Sequence, residues 1–428
     1  MCVRFEIGRS LALIFGASFA FVGMGLVDAS ADSFPESPDG KKMASALRDY
    51  FALPEPSEEV VRGLAHFDSL MRVNAKSTRS LVWEAYRAGR IRRELQEDFD
   101  ANRATSGKYL SPYFVRKVGK KPDSGWPLFI AMHGGGGAPK KLNDGQWRVM
   151  ERYYRDHAEA GGYLYLALRA PTDEWNGFYT GYVYPLIAKL IRQFLLFGEV
   201  DSNKVFVMGY SHGGYGAFAI GPKMADRFAA IHSSAAAPTD RESSQKNLRN
   251  TPFTFMIGDR DNGYGRLKRC IAFDEGIRKL RGDRRDIYPV QMILKRGFGH
   301  VGLPDRDQIA SMYSAIRNPV PMSFVWEPTD SVIRRFAWLE IPKLAKRQLV
   351  EASCEKNEVR LKITKVESLN LYLDERLVDF GKPVVVRVNG SQVVNRMLTP
   401  SLLTLCRTLE ERGDHKLAFS VKGPLHLK

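Results

Sequence analysis

Apolar and polar positions alternate along this chain in three successive rhythms. From residue 43 to about 99 the apolar residues recur at helical spacing, broken at Pro54-Glu55-Pro56, and two or three helices fit. Ser57-Glu58-Glu59 has the make-up of a helix start, with acidic residues where the helix dipole favours them. From about Tyr109 short continuous apolar runs alternate with longer helical periods, the mark of a parallel sheet covered by helices. The predicted strands are 127–132, 163–168, 204–208, 229–232, 253–257 and 290–294, and the predicted helices 142–160, 184–197, 213–224, 265–280 and 305–316. After Pro319-Val320-Pro321 the runs become short and mostly alternating, at 336–341, 349–354, 359–364, 369–373, 384–388 and 417–421, with a strong turn signal at Asn389-Gly390. The expectation is a doubly wound α/β domain over 109–320, preceded by a linker and helical prelude over 32–108. A small all-β module over 321–428 follows, most economically a compact antiparallel sandwich without helical crossovers. No solenoid or propeller period recurs.

The first 31 residues stand apart. Arg4 and Arg9 precede a continuous apolar stretch over 11–27, and Ala29-Ser30-Ala31 follows it. A basic start, an apolar middle and a small-residue end predict a secretory signal cleaved before Asp32, with an uncleaved anchor as the alternative. The expected product is secreted or periplasmic, without a stable membrane span after cleavage. Cys2 lies before the apolar stretch, where it cannot serve as a lipid-attachment site.

Composition narrows the partners. The chain of 428 residues carries 64 Lys and Arg against 48 Asp and Glu, a formal +16, and 44% hydrophobic residues exclude wholesale disorder. The leader holds two charges of each sign, so the excess belongs to the remainder. On an exported protein such a surface points to an anionic extracellular polymer, wall or lipid rather than nucleic acid, the alternative being a basic protein with no charged partner. Cys354 and Cys406 could pair in an oxidising compartment, leaving Cys270 odd, but sequence does not fix connectivity. No His, Cys, Asp or Glu set has metal spacing, no dinucleotide fingerprint is present, and no cofactor is expected.

The strongest chemical signal is Gly209-Tyr210-Ser211-His212-Gly213-Gly214, between a predicted buried strand and a predicted helix. A G-x-S-x-G turn in that setting lifts its serine above the sheet at a helix N-terminus. A serine needs a base and an orienting acid, and both should follow on later strand ends. His300, in Arg296-Gly297-Phe298-Gly299-His300-Val301-Gly302, lies just past the last strand of the sheet. Asp261 and Asp259 compete for the acid. The pattern resembles that of serine hydrolases, whose usual spacing implies Asp261 and leaves Asp259 to bond backbone amides of the turn. Donors to a developing oxyanion would come from His133-Gly134-Gly135-Gly136-Gly137, specifically the amides of Gly135 and Gly136, together with the amide of His212. The run lacks the Lys-Ser/Thr ending of a P-loop. Trp175 and Tyr179, on the same sheet edge, are candidates to line a substrate pocket or to pack their loop.

This constellation resembles the α/β-hydrolase superfamily over about residues 109–318. Residues 200–205 leading into Gly209-Tyr210-Ser211-His212-Gly213-Gly214 look like the secreted esterase branch that includes polyhydroxybutyrate depolymerases and feruloyl esterases. Ser211-His212-Gly213-Gly214-Tyr215-Gly216 is also similar to the catalytic domain of prolyl oligopeptidases, whose large β-propeller has no counterpart here. The resemblance implies an α/β-hydrolase fold and acyl-transfer hydrolysis by Ser211, Asp261 and His300, of a small or polymeric ester rather than a peptide. A secreted peptidase and a non-catalytic polymer-binding protein are the rivals.

Overall fold

The computed structural model describes residues 33–239, 241–329 and 332–427; the expected leader and its cleavage point lie outside them. Among the described residues no helix is long and apolar enough to cross a membrane.

Four helices come first: α1 (Pro38–Ala52), α2 (Glu58–Ala65), α3 (Ala75–Ala88) and α4 (Arg90–Asp100). The first begins five residues before the expected start at Met43. Ser37 caps it by accepting from the Gly40 amide at 3.0 Å, and Pro38 occupies the first turn, where a missing N–H costs nothing. Met43, Leu47, Tyr50 and Phe51 then fall on one buried stripe.

The central sheet has eight strands: β1 (Arg103–Ser106), β2 (Tyr109–Val118), β3 (Trp126–Met132), β4 (Tyr163–Leu168), β5 (Val200–Tyr210), β6 (Ala230–Ser234), β7 (Phe253–Gly258) and β8 (Val290–Lys295). Their spatial order is β1-β2-β4-β3-β5-β6-β7-β8, antiparallel at β1/β2 and β2/β4 and parallel from β4 onward. This is the α/β-hydrolase arrangement. Every residue of β3 and β4 is buried, as strands covered on both faces require. The covering helices are α5 (Lys140–Met150), α6 (Val183–Phe197), α7 (His212–Lys223), α8 (Arg266–Arg281) and the short α9 (Gln308–Met312). The chain leaves β3 toward β4 on one side, while β5 lies on the other. The order therefore reverses between β3 and β5, and the loops at their C-terminal ends diverge to leave a crevice.

Two expected helices are shorter than their periodicity suggests. The helix expected over 142–160 ends at Met150, and the one expected over 305–316 is reduced to α9. In the second case Asp305 is fully buried and accepts from the Tyr153 hydroxyl at 2.6 Å, which pins the preceding segment as a loop.

The C-terminal region pairs β10 (Arg335–Phe336), β11 (Leu339–Glu340), β14 (Ser368–Leu373) and β17 (Val421–His426) in one sheet. A second sheet holds β9 (Ser323–Trp326), β12 (Leu349–Glu355), β13 (Glu358–Thr364), β15 (Val384–Val388) and β16 (Ser391–Arg396). Asn389 and Gly390, both at positive φ, make the tight β15–β16 turn. Two features depart from the antiparallel all-β expectation. β13 and β15 are parallel, because the chain crosses between them through β14 in the other sheet. A helix, α10 (Leu402–Arg412), also stands in the module, capped by Ser401 and ended by Gly413 in the left-handed region. Its Leu402, Leu405, Cys406 and Leu409 complete one core with Met43, Leu47, Tyr50 and Phe51 of the prelude. The other large core runs without interruption from the central sheet into the β sheets. Cys270, Cys354 and Cys406 are all buried and unpaired, and Cys354 and Cys406 sit in different cores.

Candidate active site

Ser211 occupies the turn between β5 and α7 with φ 53° and ψ −113°, a strained conformation for a residue with a side chain. The strain holds because the surroundings over-determine it: the Ser211 amide donates to Ser234 O at 2.9 Å and the Gly213 amide to His133 O at 2.8 Å. The flanking glycines are sterically obligatory. A Cβ at Gly209 would sit 2.2 Å from Gly213 O, and one at Gly213 would sit 2.1 Å from Met132 O.

The loops after β7 and β8 bring the remaining candidates to this serine. Ser211 Oγ lies 2.9 Å from His300 Nε2, and His300 Nδ1 lies 2.9 Å from Asp261 Oδ2. A carboxylate only accepts, so the Nδ1 proton points to Asp261 and the Nε2 lone pair faces the serine. His300 keeps 35% of its side-chain surface exposed while Asp261 keeps 1%. Of the two candidate acids it is Asp261 that reaches the histidine; Asp259 Oδ1 accepts instead from the Gly297 amide at 2.7 Å, bracing the loop that carries His300.

Several positioning residues had no sequence signal. Arg266, at the start of α8, donates to Asp261 Oδ1 from Nε at 2.8 Å and from Nη2 at 2.5 Å, fixing the carboxylate from behind. The Tyr210 hydroxyl donates to His300 O at 2.5 Å. In the glycine loop, Asn143 Oδ1 accepts from the Gly136 amide at 2.8 Å, and Asn143 Nδ2 donates to Ala138 O at 2.9 Å and Asp173 Oδ1 at 3.0 Å. The Gly136 amide is therefore engaged within the loop. The amides of Gly135 and His212 have no protein acceptor among the described residues. A Cβ added at Gly134 would lie 3.6 Å from Ser211 Cβ, so the Gly134–Gly135 peptide runs beside the nucleophile.

Two buried imidazoles support this loop. His133 Nε2 accepts from the Ala170 amide at 3.0 Å and its Nδ1 meets Gly134 O at 2.6 Å, tying the glycine loop to the loop after β4. Burial pushes its pKa down to about 4. The His212 ring turns inward, 1% exposed, under Gly136 and beside Trp175, and burial pushes its pKa down to about 3. Both rings are neutral at pH 7. Trp175 stands at the rim, 41% exposed, with Tyr264 5.3 Å away between ring centroids, whereas Tyr179 is half-buried behind it against Tyr215. Among the described residues no cluster of His, Cys, Asp and Glu could hold a metal ion.

No protein-family model matches the chain. No curated protein sequence matches it either. Solved structures do resemble it in part. A thermostable esterase is 17% identical over 45% of this chain and 53% of its own, with a TM-score of 0.37. A poly(3-hydroxybutyrate) depolymerase from Bordetella parapertussis is 16% identical over 51% of this chain and 89% of its own, TM-score 0.36. A ferulic acid esterase is 18% identical over 45% and 92%, TM-score 0.31. This chain thus spans about half the length of the thermostable esterase.

Proposed function

We propose that the protein is a serine hydrolase that cleaves carboxylic esters through an acyl-enzyme on Ser211. The observation that carries this reading is the unbroken hydrogen-bonded run from Ser211 Oγ through the two His300 nitrogens to a buried, arginine-braced carboxylate. In the first half-reaction His300 Nε2 takes the Ser211 proton as Oγ attacks the ester carbonyl. Asp261 stabilises the imidazolium that results without itself taking the proton. The carbonyl oxygen, now negative, turns toward the amides of Gly135 and His212, where a single good donor contributes about 3 kcal/mol. His300 then gives its proton to the departing alkoxide. Water enters, loses a proton to the same nitrogen and releases the acid, restoring Ser211. Trp175, at the rim, is assigned to substrate contact, with Tyr179 supporting it from behind.

Export rests on the pattern of residues 1–31, and attachment to an anionic polymer on the +16 charge. Mass spectrometry of the protein recovered from its native host tests the former, a mature chain beginning at Asp32 being the expected result. The activity is tested by labelling the purified protein with a fluorophosphonate beside Ser211→Ala. Labelling and ester turnover that vanish together in the variant support the reading, and full esterase turnover by Ser211→Ala overturns it.

A further inference from the structure

A cavity of about 360 Å³ is lined by chain neighbours of Ser211 and His300: Tyr210 before the serine, Val301 and Gly302 after the histidine, and Gly134, where an added Cβ would lie 3.6 Å from Ser211 Cβ. Neither Trp175 nor Tyr179 lines it. Its position assigns it a part in the reaction proposed above, on which this inference rests. The alkoxide leaves from the face where His300 delivers its proton, so space flanked by the His300 loop receives the alcohol portion of the ester.

The walls of this space are uneven in chemistry. The buried Leu303 and the exposed Val149 and Val301 give it an apolar side. On the same wall the exposed Arg306 holds its guanidinium 4.8 Å from the centroid of the Tyr153 ring. The second cation on this wall, Arg155, is paired with Asp307 at 3.2 Å. Arg306 has no ion pair among the described residues. Its sequence neighbour Asp305 is buried and turned to the Tyr153 hydroxyl, leaving the guanidinium on the cavity side. A flat cation held against an aromatic ring, beside apolar side chains, is complementary to an apolar body ending in a carboxylate.

We infer that this cavity is the leaving-group subsite and that Arg306 is a specificity-determining residue, selecting esters whose alcohol portion carries a carboxylate. The test compares kcat/KM for 4-acetoxybenzoate and phenyl acetate, as a ratio within each full-length protein, so that differences in folded fraction cancel. The wild type should favour 4-acetoxybenzoate by about tenfold, the size of one partly solvated charge-assisted bond. In Arg306→Gln the ratio should fall to that of the two esters' intrinsic reactivities. An unchanged ratio in the variant overturns the inference. So does a preference for a carboxylate on the acyl side, measured with monophenyl succinate, that is lost in Arg306→Gln. Calorimetric titration of the Ser211→Ala protein with 4-hydroxybenzoate decides the matter without turnover: binding weakened about tenfold by adding Arg306→Gln supports the subsite, and no binding removes it. If no ester is turned over and fluorophosphonate labelling fails, the hydrolase reading falls while the titration still judges the cavity.

Discussion

Replacing His232 by glutamine tests how far the floor of the site depends on a neutral imidazole. His232, on β6, is fully buried, with Nδ1 2.8 Å from Thr254 Oγ1 and Nε2 2.8 Å from Ser234 Oγ. Ser234 is the residue whose carbonyl accepts the Ser211 amide. Burial pushes the His232 pKa down from 6.5 to about 3. In the unfolded chain the ring titrates normally, so between pH 7 and pH 5 the unfolded state takes up a proton that the folded state refuses. The sign follows: stability is unaffected by this group well above pH 6.5 and falls as the pH drops below it, until the folded pKa is reached. From pH 7 to pH 5 the loss is about 2 kcal/mol. His133, His212 and His415, all with pKa values lowered by burial, act in the same direction. Asp305, raised by burial, acts in the opposite one. These groups are common to both proteins, so the difference between wild type and His232→Gln isolates the one residue. Urea unfolding followed by tryptophan fluorescence at both pH values supplies the free energies. The variant should be less stable at pH 7 by about 1 to 3 kcal/mol for the disturbed hydrogen bonds. Its further loss between pH 7 and pH 5 should be smaller than that of the wild type by about 2 kcal/mol. Equal pH dependence in the two proteins would refute the reasoning.

Arg266→Met should lower kcat by about tenfold to a hundredfold with little change in KM, because Asp261 and then His300 lose their fixed geometry while substrate contacts remain; steady-state kinetics and the fluorophosphonate labelling rate should fall by the same factor. Gly213→Ala drives a Cβ to 2.1 Å from a backbone oxygen that cannot swing aside, whereas a Cβ at Gly63 meets nothing within 4 Å. The first should cost at least about 3 kcal/mol and the second be neutral or slightly stabilising, as read from thermal unfolding. Leu405→Ala, at a site 1% exposed in the core shared by prelude and α10, should cost about 2 to 5 kcal/mol and speed limited proteolysis within residues 34–100.

Much of the central sheet was legible because its strands are continuous apolar runs bounded by turns. Tyr163–Leu168 and Val384–Val388 have the bounds that their patterns predict. The turn carrying Ser211 was legible because its glycines form a short pattern between a buried strand and a helix, although the clearance that Gly213 supplies is against Met132 O of the neighbouring strand β3. His300 could be singled out by its place after the last strand, and Asp261 by family spacing, though choosing between the two acids is a matter of where a loop folds. Arg266 could not be found, since its reach to Asp261 depends on the angle at which α8 leaves its loop. The engagement of Gly136 by Asn143 likewise needs the loop's three-dimensional course. The helix α10 was legible in principle: 402, 405, 406 and 409 have helical spacing between a Ser401 cap and Gly413. The alternating runs on either side make the module as a whole read as all-β. The parallel β13/β15 pair was not, because its crossover passes through a strand of the facing sheet.

The union of the prelude with α10 has a consequence for synthesis. Tyr50 donates to Glu410 at 3.0 Å across a separation of 360 residues, and the core that α1 builds with the other prelude helices is closed on one side by side chains from beyond residue 400. The helices that leave the ribosome early can therefore pack on one another at once, yet their shared core stays open on the α10 side until the chain is nearly complete. The central sheet can close around its own local crossovers while the surface that α10 will cover still faces water, so the nascent chain carries an adhesive patch through most of its elongation. A chaperone that shields apolar surface, or a translocation step that keeps the chain unfolded until it is complete, relieves the delay. Loss of the last thirty residues would strip β17 from β14 and, in the same stroke, open a core at the opposite end of the chain.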